Sequence, residues 1–127
     1  MIVVNTNEAA LAELNDEIVQ KGPVNRRLLL SDKDTSGFGA TLVTFDAGAK
    51  LNFHTHDSEQ ILYITDGKGI LATKDKEYVV TPGCIVFIPA AQGTLFPCCY
   101  LAVLHDGMLY CQRLCDGKYV MNYNFLL

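Results

Sequence analysis

From Pro23 onward the chain is cut into short apolar runs by turn residues, and none of the runs is long enough for a helix. The runs are Arg26–Leu30, Ala40–Asp46, Leu51–His56, Gln60–Thr65, Ile70–Thr73, Glu77–Val80, Cys84–Ile88, Leu101–His105, Met108–Arg113 and Lys118–Phe125. Between them lie Ala47-Gly48, Asp66-Gly67, Pro82-Gly83, Asp106-Gly107 and Asp116-Gly117. Turn signals every 8–12 residues or so, flanking about nine or ten strands, specify an antiparallel sandwich or barrel. No linker, repeat or low-complexity segment interrupts the 127 residues, which read as one domain (1–127).

The segment before Pro23 reads differently. Asn5 with Glu8 three residues on has the form of a capping box. Leu11, Leu14 and Ile18 then fall on one helical stripe, and Gly22-Pro23 stops it. One short N-terminal helix over residues 6–21 is therefore expected, within a helical segment 1–25.

Composition narrows the function class. Half of the residues are hydrophobic, which points to a ligand-lined interior or a buried subunit contact. Net charge is −4, and no basic run or basic–aromatic interleaving occurs, so no nucleic acid partner is expected. Met1–Asn5 has no basic flank and too short an apolar run for a signal peptide. No stretch approaches the ~18 apolar residues of a membrane span. A cytoplasmic protein without membrane attachment is the expectation. The five cysteines are Cys84, Cys98, Cys99, Cys111 and Cys115. The odd count and the absence of any Cys-x-x-Cys argue against a disulfide framework or zinc ribbon. They read as small buried hydrophobes; a thiol pair, Cys111 with Cys115, is the alternative.

Chemistry concentrates in Gly48–Gly67. Side chains two apart on a strand share a face. His54 and His56 therefore both reach one point inside a barrel, and imidazole is a common ligand for divalent metals. His-x-His alone is weak. With five residues between it and Gly48, and followed by Gly67, it is far more specific.

On these residues the chain resembles the cupin superfamily, small single-domain barrels with a double-stranded β-helix (jelly-roll) fold. The family's first motif is Gly, five residues, His-x-His, three or four residues, Glu, six residues, Gly. Gly48, His54, His56 and Gly67 match it, and Gln60 stands where the shorter form carries Glu. In the second motif Gly83 and Pro89 match, but Ala91, Thr94 and Cys98 stand at the places of its Gly, His and Asn. The resemblance is strong over 38–89, weak over the divergent strands of 90–127 and absent before the barrel.

The resemblance implies a metal site of His54, His56 and Gln60 holding a divalent ion such as zinc, iron, manganese or nickel, or no ion if the site is degenerate. Gln60 is neutral, so a bound ion keeps its full charge and polarises a substrate oxygen strongly. A facial-triad iron oxygenase needs a carboxylate there, which counts against that class. Glu59 is the neighbouring carboxylate, and Thr94 or His105 is a candidate to complete the set. Phe53, Tyr63, Phe87, Phe96 and Tyr100 are pocket-lining candidates, though core is the simpler reading. Lys50 and Arg27 are candidate anchors for an acidic substrate, though solvated surface charge is the simpler one. Two functions stay open: a Lewis-acid isomerase, lyase or related enzyme, and a non-catalytic binding module or scaffold. No catalytic residue is assigned. The expected partners are a small-molecule ligand and a second copy of the chain in a homodimer.

Overall fold

The computed structural model describes residues 1–90 except Asp16, Asp32 and Asp57, and the backbone of 100–103 and 108–113. The described residues are all-β. Eleven strands run in order: β1 Leu11–Glu13, β2 Val19–Lys21, β3 Val24–Leu30, β4 Phe38–Phe45, β5 Lys50–Leu51, β6 Gln60–Ile64, β7 Gly69–Ala72, β8 Glu77–Val80, β9 Ile85–Ile88, β10 Tyr100–Val103 and β11 Met108–Arg113. The expected strand at Lys118–Phe125 lies outside the described residues.

The strands form two antiparallel sheets. One has the order β1-β3-β4-β11-β6-β9, and the other β2-β5-β10-β7-β8. Neighbours in each sheet are often distant in sequence, as in a jelly roll. Alternation puts one face of each strand inside. On β6, Gln60, Leu62 and Ile64 are buried while Ile61 and Tyr63 are exposed. The core is built from Leu14, Val24, Phe45, Leu62, Leu71 and Ile88 with their smaller neighbours.

The N-terminal helix expected over 6–21 is not formed. Asn5 does cap a turn: its Oδ1 accepts from the Asn7 amide at 3.1 Å, and its carbonyl accepts from Glu8 and Ala9. The turn ends at Ala9, whose carbonyl accepts from Arg27 Nη1. The chain then extends, pairing Leu11, Ala12 and Glu13 with Arg27, Arg26 and Asn25. Leu14 donates to the Val24 carbonyl at 2.8 Å. An isolated helix of this length is marginal in water, whereas β3 offers a row of unpaired backbone groups. Leu14 and Ile18 still reach the core, Leu14 from just beyond β1 and Ile18 from the turn before β2.

Gly22-Pro23, read as a helix stop, is instead a point of close approach. Gly22 has φ +71°, and a Cβ there would lie 3.0 Å from the Cα and Cβ of Ala49. Ala49 is fully buried at the end of the Asp46–Ala49 turn, where its amide donates to the Asp46 carbonyl and Gly48 has φ +78°. Gly22→Ala therefore combines a left-handed backbone with a steric clash. It is expected to destabilise the fold by about 1–3 kcal/mol, read as a lower urea midpoint; an unchanged midpoint would contradict this packing.

Candidate metal centre

The His54-x-His56 segment is positioned from both sides. After β5 the chain leaves the ladder, and Asn52 ties it down. The Asn52 amide donates to the Ile18 carbonyl at 2.7 Å, and its Nδ2 donates to the Glu17 carbonyl at 3.1 Å. The Asn52 carbonyl is 2.8 Å from His54 Nδ1. A carbonyl only accepts, so Nδ1 is the protonated nitrogen and Nε2 carries the lone pair. Fixing a ligand's tautomer through its second ring nitrogen is the usual arrangement at metal-binding histidines. Asn52 was missed in the sequence; its signal is faint, since the contact is made by a main-chain carbonyl.

His54 is buried and His56 half-buried, with ring centres 4.7 Å apart and ring planes at 80°. Burial lowers the pKa of His54, opposed in part by its bond to Asn52. Burial, then the His54 charge, lowers that of His56 to about 3. Both rings are thus neutral near pH 7, the state in which imidazole binds a metal. Two imidazoles sharing one ion hold their nitrogens about 2.1 Å from it, with ring centres about 1.1 Å further out; the centres then lie about 4.5 Å apart at a right angle and about 5.2 Å at the tetrahedral angle. The observed separation of 4.7 Å falls in this range.

Gln60 opens β6 and faces inward, 2 % exposed, on the same side as Leu62 and Ile64. Glu59 is exposed. The one-residue difference between them is a change of face. Thr41, His54, Ser58 and Gln60 are the buried polar side chains among the described residues, and no buried side-chain nitrogen or oxygen there lacks a partner. Among the described residues no third His, Cys, Asp or Glu groups with His54 and His56. Thr94 and His105 lie outside the described residues.

Other candidates are placed elsewhere. Phe53, Tyr63 and Phe87 are exposed, so they line no interior pocket and belong to no core. Arg27 braces the N-terminal turn through Ala9. Lys50 lies beside Phe53, Lys74 and Lys76 in a surface cleft. Cys84 is a free, half-buried thiol packed against the core, as a small hydrophobe would be. Phe96, Cys98, Cys99 and Cys115, and the side chains of Tyr100 and Cys111, lie outside the described residues.

The family model described as "Cupin domain" matches residues 41–93, the stretch holding the histidine pair and Gln60. Residues 41–93 of the chain are a cupin domain. Solved cupin-like barrels share its fold at low identity. The polyketide cyclase RemF from Streptomyces resistomycificus superposes with TM-score 0.73 at 18 % identity, covering 89 % of this chain and 79 % of that one. A predicted oxalate decarboxylase from Thermotoga maritima gives 0.71 at 18 %, covering 89 % and 98 %. An RmlC-like cupin from Shewanella frigidimarina gives 0.64 at 18 %, covering 87 % of each. No curated protein matches this cupin by sequence. No helix among its described residues is long and apolar enough to cross a membrane.

Proposed function

We propose that this cupin binds a small molecule at a divalent ion held by His54, His56 and Gln60. The observation that carries the reading is the pair itself: two imidazoles kept neutral by burial, at a separation that suits one ion, with the His54 tautomer fixed by Asn52. The all-neutral donor set favours Lewis-acid chemistry over oxygen activation. When bound, the ion polarises a carbonyl, hydroxyl or carboxylate oxygen of the ligand. His54 and His56 would orient that oxygen, and the carboxamide of Gln60 would add no negative charge to compete with it. Isomerisation, elimination or ring opening of a sugar-like or hydroxy-acid substrate suits such a site. The similar folds include a polyketide cyclase and a predicted oxalate decarboxylase, so proteins of more than one activity share this barrel.

The competing reading is a binding barrel without catalysis. It is favoured by the sequence, where Thr94 stands at the place of the second motif's histidine. Elemental analysis of protein purified without a His-tag, before and after incubation with zinc, manganese, nickel or ferrous iron, tests the metal reading. A stoichiometric ion is expected. No retained ion under any condition would overturn the metal reading and leave the binding module.

A further inference from the structure

The segment that bears the histidines is weakly held by its own strand. β5, just before it, is two residues long, Lys50–Leu51. On one side β5 pairs with β10 through Lys50 and Ala102, one residue pair among the described residues. On the other side it pairs with β2, where Val19 faces Leu51 and Lys21 faces Lys50 across a register shift. So short a ladder does not fix the direction of the chain that leaves it. Residues 17–22 do so instead, because they grip β5 at both ends. Before β5, Gly22 turns with φ +71° and leaves no room for a side chain against Ala49. After β5, Asn52 donates twice to consecutive carbonyls of the same segment. Its amide goes to Ile18 at 2.7 Å and its Nδ2 to Glu17 at 3.1 Å. Ile18 is itself buried in the core, so the carbonyl that receives the Asn52 amide is anchored. The Asn52 carbonyl is the group that meets His54 Nδ1, at 2.8 Å.

We propose that residues 17–22 form a strap that sets the tautomer and the aim of the His54 ring, with Asn52 as the positioning residue between them. That His54 then serves as a ligand rests on the metal reading above. The amide and carboxamide bonds fix the Asn52 Cα in place and in orientation. Its carbonyl then leaves in a defined direction, with ψ as the single soft torsion still open. The nitrogen that carries the proton in a histidine ring is set by the bond its partner nitrogen makes. A register shift beside such a segment bends the strand and re-aims what it carries. The strap is also the part of this arrangement that opens most readily. β2 is the edge strand of its sheet, and Gln20, Lys21 and Gly22 are exposed. An element with so few buried contacts opens before the strands it lies on. Release of the strap would free His54 while the rest of the barrel stays folded. By reciprocity, an ion on His54 would favour the closed strap.

Nitrogen-resolved NMR of the metal-free full chain tests this without any ion. In the wild type His54 is expected to carry its proton on Nδ1, and a proton on Nε2 would overturn the proposal. Asn52→Leu keeps the main-chain bond to Ile18 and removes the donor to Glu17. It is expected to give a mixture of His54 tautomers in a folded protein. Gly22→Ala, which pushes the strap from Ala49 at the other end of β5, is expected to do the same. A folded Asn52→Leu protein with the wild-type tautomer would mean that the strap only stabilises the fold, and would overturn the proposal. Zinc titration separates this from the metal reading. Asn52→Leu is expected to weaken zinc binding by about tenfold or more. A wild type that binds no zinc, yet holds the Nδ1 tautomer and loses it in Asn52→Leu, would sink the metal reading and leave the strap standing. Equal zinc affinity in the wild type and a folded Asn52→Leu protein would overturn the coupling.

Discussion

Replacing His54 and His56 together with alanine is expected to abolish stoichiometric metal binding, and the Gln60 variants are expected to show what the third donor contributes. The double variant removes both imidazoles of the proposed centre. Gln60→Leu keeps the pair and removes one neutral oxygen, for an expected affinity loss of about 10- to 100-fold. Gln60→Glu is the informative change. It adds a carboxylate at an inward position, 2 % exposed. An ion beside it gains a full opposite charge, so affinity should rise by tenfold or more, about 1.4 kcal/mol. The metal-free Gln60→Glu protein should be less stable, because a buried carboxylate without its ion is costly. Isothermal titration with zinc or manganese reads all three affinities, and thermal denaturation with and without the ion reads the coupling. Wild-type metal content in the His54→Ala/His56→Ala protein would dismiss the site altogether. Unchanged affinity in both Gln60 variants would remove Gln60 from the ligand set while leaving the histidine pair.

The parts of this centre that could be read from the sequence are those governed by strand parity. Gln60 and Glu59 differ by one position, and one position on a strand is a change of face. The resemblance to the cupin motif placed Gln60 at the ligand position, and the structure buries Gln60 and exposes Glu59. The turns at Gly48, Gly67 and Gly83 were equally legible, because each has positive φ. Asn52 was not. It acts on His54 through a backbone carbonyl, which every residue type possesses, so nothing in its identity announces the contact. The N-terminal segment misled for another reason. A stripe of Leu11, Leu14 and Ile18 describes which residues are buried without fixing the backbone that buries them, and pairing with β3 decided the backbone. Phe53, Tyr63 and Phe87 look like core by composition, yet all three are exposed, Tyr63 and Phe87 at outward positions of β6 and β9 and Phe53 beyond the end of β5.

The metal-free protein is expected to lose stability steeply as pH falls below about 6.5, the ordinary value of a histidine. Burial, with the His54 charge as the smaller cause, lowers the His56 pKa to about 3. The His54 pKa is also lowered by burial, against the opposing bond to Asn52. Between the unfolded and folded values the unfolded chain holds a proton on His56 that the folded chain does not. The unfolded state then binds more protons, so acid favours unfolding and stability climbs as pH rises toward 6.5, above which this contribution is complete. Each proton taken up on unfolding gives a slope of about 1.4 kcal/mol per pH unit. Carboxylates titrate at lower pH, so the informative window is about pH 5 to 6.5. Urea denaturation of chelator-treated protein across that window should give a clear slope in the wild type and a shallower one in His56→Gln, which keeps a polar side chain but binds no proton. Equal slopes in the two proteins would mean that His56 is not held neutral by its surroundings. An imidazole that titrates as it does in water would also lack the desolvated, lone-pair-ready state on which the metal reading rests.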